Sequence, residues 1–136
     1  MERLYTAWDY IRKTYFPAWD KNNRWFIGLK ADLGECIGNH GQYGGCYKPY
    51  KVIYIRHIDE SFMVINPSKP RLFRMPLNMV LVHEICHATT PGKGNHKAPW
   101  QNSMLLIANR AAELGNIKLS KQIKKEVKRY RRWGYY

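Results

Sequence analysis

The chain has few cysteines, no long apolar run and no low-complexity segment. Three cysteines among 136 residues are an odd number, which fits a reducing cytoplasm better than a disulfide framework. No apolar run approaches the roughly 18 residues of a membrane span, and the first residues do not read as a secretory leader. No repeat or linker divides the sequence. We therefore expect one cytoplasmic domain over residues 1–136, neither secreted nor embedded in a membrane.

A His-Glu-x-x-His motif is the most informative feature that the chain does contain. It comprises His83, Glu84 and His87 in an otherwise apolar segment. Residues four apart share one face of an α-helix, so both histidines can point a ring nitrogen at one metal ion. Zinc with three protein ligands keeps a fourth position for water and lowers the pKa of that water towards neutrality. Glu84 is placed to accept the proton as the water attacks a carbonyl carbon, which predicts peptide-bond hydrolysis.

The residues around the motif predict a helix that starts near Pro76 and stops before Pro91. The alternative is a pair of core histidines beside a surface glutamate, with no metal. That alternative would bury a polar trio without partners, which is costly.

A zinc site needs at least one more ligand, and His96 is the preferred candidate. It follows a loop containing Pro91, Gly92 and Gly94, and it precedes a second predicted helix that starts at Pro99 and stops at Gly115-Asn116. Glu113, late in that second helix, is the competing ligand. His40 and His57 remain as lesser alternatives.

Three stretches of sequence carry a family resemblance: residues 83–88 (H-E-I-C-H-A), residues 94–100 (G-N-H-K-A-P-W) and Met104. Together they resemble the SprT-like metallopeptidase family, which includes the Spartan-type DNA–protein crosslink proteases. The resemblance covers residues 76–108, and a looser similarity links Gly44-Gly45-Cys46 and the strand after it to the family's glycine-containing strand. Asn95 before His96 and the Pro99-Trp100 pair depart from the family pattern, but neither removes a ligand.

The resemblance implies a small zincin-like domain, with His83, His87 and His96 as ligands of Zn²⁺ and Glu84 as the general base. It also implies protein substrates, often ones attached to DNA.

The remaining patterns predict an α+β fold, in which a short β-sheet packs with the metal helix and flanking helices. A first helix should bury Leu4, Trp8, Ile11 and Tyr15, and strands are expected at 25–29, 52–57 and 62–65. The strand at 52–55 is expected to be an edge that aligns an extended substrate by main-chain pairing. A last helix is expected at about 120–133, capped by Ser120.

Acidic residues are scarce, and the excess of positive charge gathers at the C-terminus. Lys and Arg total 23 against 10 Asp and Glu, a formal net charge of +13. An apolar stripe of Ile123, Val127 and Tyr130 should dock the last helix and leave its cations in water. We expect sequence-independent nucleic-acid binding there, with a membrane surface, an acidic protein or a merely solvated face as alternatives. The predicted contacts are Lys121, Lys124, Lys125, Lys128, Arg129, Arg131 and Arg132.

Three functions remain open from the sequence. The preferred one is a zinc endopeptidase that cleaves nucleic-acid-associated proteins. The others are a metal-dependent hydrolase of another bond, such as the RNA phosphodiester, and a non-catalytic binding module with a structural zinc. A structural zinc would need a fourth ligand such as Cys46 or Cys86, although Cys86 is expected in the core. Cys36, His40 and Cys46 are an unfavoured candidate for a second metal site.

Overall fold

A computed structural model of the chain describes residues 2–33, 43–66, 74–92 and 96–135. Its fold is mixed α+β, as the sequence predicts. The helices are α1 (Glu2–Tyr15), α2 (Lys30–Leu33), α3 (Leu77–Thr89), α4 (Ala98–Glu113) and α5 (Ile117–Arg132), with a short 3-10 helix at Lys48–Tyr50. The strands are β1 (Phe26–Leu29), β2 (Gly44–Tyr47), β3 (Val52–Ile55), β4 (Met63–Ile65) and β5 (Arg74–Pro76).

Helix α1 forms as predicted and ends at Tyr15, two residues before Pro17. Its four predicted core residues are all buried, and they recur three or four positions apart, so they share one face. That face packs against α3, α4 and β1. The spacing of apolar residues alone was sufficient to predict this helix.

The main sheet has the order β1-β3-β2, and this order corrects one expectation from the sequence. Strand β3 pairs in parallel with β1, for example Ile27 with Ile53, and antiparallel with β2, for example Cys46 with Ile53. The strand at 52–55 is therefore central and cannot offer an edge to a substrate. In the described part of the chain, β2 is the outer strand of this sheet that packs against α3.

Two glycines allow β2 to lie close against β3. A Cβ atom on Gly45 would lie 2.6 Å from the ring of Tyr54, and one on Gly44 would overlap the Tyr54 carbonyl oxygen. A side chain at position 44 would push the two strands apart, and one at position 45 would displace the Tyr54 ring. The Gly-Gly pair thus lets β2 lie close to β3, where it also packs against α3.

Helix α3 lies at the centre of the molecule and is enclosed by α1, α4, α5 and the strands. Every described residue from Leu77 to His87 except Asn78 is buried. Trp100 of α4 is fully buried, and its indole nitrogen donates to the carbonyl oxygen of His83 at 3.1 Å. This hydrogen bond ties the start of α4 to the middle of α3.

Helix α5 starts earlier than the sequence predicts. Gly115 adopts a φ of +88°, which ends α4, and the side-chain oxygen of Asn116 accepts a hydrogen bond from the Leu119 amide at 3.2 Å. Asn116 is therefore the N-cap, and Ser120 is a buried residue inside the helix. Among the described helices, none combines the length and apolar character needed to cross a membrane.

Candidate metal centre

The structure brings the three predicted ligands together. The Nε2 atoms of His83 and His87 are 3.2 Å apart, and each lies 3.1 Å from Nε2 of His96. His83 and His87 project from the same face of α3, and His96 lies two residues before the start of α4. A tetrahedral zinc ion with bonds of about 2.0–2.1 Å would hold three nitrogens about 3.3 Å apart. The observed triangle therefore has the size of a zinc site.

Burial keeps these histidines in the form that binds metal. It lowers the pKa of His83 and of His96 to about 3 and that of His87 to about 2, with smaller contributions from neighbouring charges. The imidazoles are therefore neutral near pH 7. A neutral imidazole has a free lone pair, which is what a metal ion requires.

The competing ligands lie elsewhere. Glu113 is exposed at the end of α4, and His57 is exposed after β3. In the described part of the chain, the three histidines form the one cluster whose atoms could hold a metal ion, and no fourth Cys, Asp or Glu belongs to it. His40 lies outside the described residues.

The two described cysteines are not suited to close the site. Cys86 is buried, and burial raises the pKa of its thiol. Burial and the nearby Glu84 raise the pKa of Cys46 to about 12. Neither sulfur belongs to the cluster of ligand atoms that lie within 4.8 Å of one another, which only the three histidines form in the described residues. Of the second site imagined for Cys36, His40 and Cys46, only Cys46 falls within the described residues.

Glu84 lies beside the ligand triangle, as the motif predicts. It is 5% exposed, and its Oε1 atom lies 3.9 Å from Nε2 of His83. Burial, and then the charge of Glu126, raise the pKa of Glu84 to about 8. A cation held by the histidines would lower that pKa again. The carboxyl group can thus exchange a proton near neutral pH, which is the property of a general base.

A second layer of side chains surrounds the histidines, and it comes from α5. The carboxylate of Glu126 lies 3.0 Å from Nδ1 of His83, and Arg129 pairs with the same carboxylate at 2.7 Å. The ring of Tyr130 stacks on His96 with centroids 3.8 Å apart. Glu126 lies outside the His-Glu-x-x-His motif, and no sequence motif predicts a role for it. It lies three residues after Ile123 and one before Val127, so it is close to the apolar stripe of the helix. This spacing is the one feature of the sequence that could have indicated its burial.

The basic residues of α5 divide into an exposed set and one inward-facing residue. Arg129 is half-buried, and besides Glu126 it donates to the Tyr43 hydroxyl at 3.2 Å and lies over the Trp133 ring. It is therefore poorly placed for the nucleic-acid contact that the sequence suggests. Arg131 is exposed but donates to the Gln101 side chain at 2.8 Å. The other predicted contacts are exposed: Lys121, Lys124, Lys125, Lys128 and Arg132.

No family model, curated protein or solved structure matches this chain. The resemblance to the SprT-like family thus stays a prediction from the motif residues.

Proposed function

We propose that this protein is a zinc-dependent endopeptidase of the SprT-like type, with a zincin-like arrangement of helix and sheet. The observation that carries the proposal is the convergence of three Nε2 atoms at 3.1–3.2 Å with the buried carboxylate of Glu84 beside them. A cluster of three neutral imidazoles is a typical catalytic zinc set. Zinc, when bound, supplies a Lewis acid that polarises a carbonyl group and acidifies water.

Glu84 moves the proton in this scheme. Its carboxylate accepts a proton from the attacking water and returns it to the nitrogen of the departing amine. A cation at the histidines would favour the ionised carboxylate that accepts the proton, and burial, which raises the pKa of Glu84, would favour the protonated form that holds it between the two steps. The Glu84 side chain comes from α3 itself, so its distance to His83 is set by the helix.

The substrate in this proposal is an extended segment of a protein chain. Strand β2 is the better candidate to align it, because β3 is paired on both sides whereas β2, within the described residues, is an outer strand packed against α3. Main-chain pairing to an outer strand recognises any sequence in extended form. Such binding suits a peptidase with many different substrates.

The partner that we propose is nucleic acid, bound without regard to sequence. Seven exposed cations lie along α5, and Trp133 at its end is 61% exposed. Cations that contact phosphates give affinity without base reading, and an exposed aromatic ring can stack on an unpaired base. Proteins attached to the same nucleic acid would then be brought close to the metal centre.

The function is tested by incubating the purified chain with a basic DNA-binding protein, with and without DNA and a chelator, and by following fragments on a gel. We expect cleavage that the chelator and Glu84→Gln both abolish. Cleavage of an RNA substrate instead, again blocked by both, would favour the phosphodiester alternative.

The metal's coordination separates catalysis from a structural role. An anomalous-scattering map at the zinc edge should show three histidines and a water. Four protein ligands, together with no hydrolysis of either substrate, would favour a structural zinc in a binding module.

A further inference from the structure

The contact between α5 and α3 points to a residue of the metal centre that the His-Glu-x-x-His motif does not contain. Nδ1 of His83 lies 3.0 Å from Oε2 of Glu126, across 43 positions of sequence. The side chain of Glu126 is 1% exposed, and that of His83 is 11% exposed. The contact is therefore shielded from water.

We infer that Glu126 is a positioning residue: its carboxylate holds His83 in the tautomer that presents a lone pair to the metal. This inference rests on the proposed metal site, but it does not depend on peptidase activity.

The geometry of the imidazole carries the argument. A neutral histidine has one N–H, and a carboxylate next to Nδ1 accepts a hydrogen bond there. The proton then lies on Nδ1, and Nε2 keeps its lone pair towards His87 and His96. The opposite tautomer would set the Nδ1 lone pair against the carboxylate at 3.0 Å. A carboxylate behind a ligand histidine also fixes the ring's orientation and increases its basicity.

The environment of Glu126 supports this role over a merely structural one. A buried carboxylate is costly unless it is paired. Glu126 pairs with Arg129 one turn away at 2.7 Å, and Arg129 is itself held by the Tyr43 hydroxyl and the Trp133 ring. The pair lies next to the ligand histidine, although α5 has many exposed positions where it would cost nothing.

It follows that α5 is a part of the metal centre as well as a basic surface. Truncation after Ser120 would remove Glu126 and Tyr130 together with the cations. Such a truncation cannot separate nucleic-acid binding from metal binding. Substitutions on the exposed face of α5 can, provided that Glu126, Arg129 and Tyr130 are kept.

The test compares zinc affinity in the wild type, Glu126→Gln, Glu126→Leu and the matched control Glu113→Gln, by competition with a chromogenic chelator. The control removes the same charge from an exposed position at the end of α4. Loss of a partner behind a metal ligand costs about 10- to 100-fold in affinity. We expect that loss for Glu126→Leu and a smaller one for Glu126→Gln, whose amide oxygen can still accept from Nδ1–H. The control should bind like the wild type.

The tautomer of His83 is a second measurable quantity. It would not depend on Glu126 if that residue had only a structural role. Nitrogen-15 NMR of the zinc-free wild type should show His83 protonated on Nδ1. That spectrum needs no variant, so it tests the inference even if Glu126→Leu does not fold. Wild-type zinc affinity in Glu126→Leu, or His83 protonated on Nε2, would overturn the inference. Failure of the wild type to bind zinc would instead overturn the proposed metal site on which it rests.

Discussion

Helices α3 and α5 both carry several titratable residues, but those of α3 are buried whereas most of those of α5 are exposed. On α3, His83, Glu84 and His87 are all buried and face one another or a partner. On α5, almost every charged residue points into water, and the buried positions are otherwise Leu119, Ser120, Ile123 and Val127. Glu126 and the half-buried Arg129 are the exceptions, and Glu126 contacts His83 of α3.

The net charge of this chain and its candidate chemistry therefore lie in different parts of the molecule, the first on the surface and the second among buried residues. The charge of +13 describes the surface, where ions are well solvated and each contributes little to stability. The candidate chemistry depends on a few buried polar groups, each of which needs a partner because burial makes an unpaired group costly. We therefore expect Glu126, the one acidic residue of α5, to matter more to the candidate metal centre than the exposed cations of that helix.

The largest expected effect comes from Glu84→Gln. The amide keeps the shape of the side chain but cannot accept a proton, and loss of a general base lowers the rate by about 10² to 10⁴. Zinc content should stay at the wild-type level, because Glu84 is not one of the three converging groups. The measurement is hydrolysis of a protein substrate beside metal analysis, with Glu113→Gln as the control. Full turnover in the Glu84 variant would remove that residue from the mechanism.

The next-largest effect tests which of two residues proposed from the sequence, His96 or Glu113, is the third metal ligand. His96→Ala should lose zinc and stability together, since binding energy at the site is shared with folding. The loss in affinity should exceed the about 10- to 100-fold expected for a residue that only supports a ligand. Glu113→Ala, at an exposed position, should change neither. Zinc lost from the Glu113 variant but kept in the His96 variant would reverse the ligand assignment.

The histidine triangle and helices α1, α3 and α4 could be predicted from the sequence because their signals are local. The spacing of His83 and His87 defines one helix face, and the apolar periodicity of α1 and α4 defines what they bury. The glycine-rich segment before His96 indicates a turn back towards α3. Each of these inferences needs only neighbouring residues.

The expectations that were wrong or missing depend on contacts between residues that are far apart in the sequence. Whether the strand at 52–55 is central or outer depends on β1, which lies more than 20 residues before it. The role of Glu126 depends on how α5 docks against α3, and a glutamate among lysines gives little sign of being buried. The cap is a different case: Ser120 and Asn116 are both good N-cap residues, and Gly115 ending α4 decides between them.

A smaller effect is expected from substitutions on the exposed face of α5. They test whether the cations of this helix bind nucleic acid. Replacing Lys121, Lys124, Lys125 and Lys128 with Gln removes four exposed cations and spares Arg129. Each lost phosphate contact should flatten the plot of log affinity against log salt by about 0.9 for duplex DNA or about 0.7 for single strands. Zinc content and cleavage of a small unstructured peptide should not change.

The matched control removes four exposed cations from other parts of the molecule: Lys13, Lys21, Arg24 and Lys51. It has the same net charge as the α5 variant but an intact basic helix. If both variants lose DNA affinity and salt dependence equally, the helix is only a solvated face and binding follows total charge.

The smallest expected effect lies at the start of α5. Asn116→Ala removes the side-chain acceptor for the Leu119 amide, and loss of an N-cap typically costs about 1 kcal/mol in the free energy of unfolding. For a domain of this size, that is a fall in Tm of about 4 °C. Ser120→Ala, which the sequence alone would choose as the cap variant, should not produce the loss by this route. Because Glu126 lies ten residues beyond the cap, fraying of the first turn should leave zinc affinity unchanged. Thermal unfolding and the chelator competition, run on the same samples with Asn102→Ala of α4 as an exposed control, measure the two quantities separately. A fall in zinc affinity for Asn116→Ala alone would mean that the whole of α5, and not its middle turns, holds the metal centre in place.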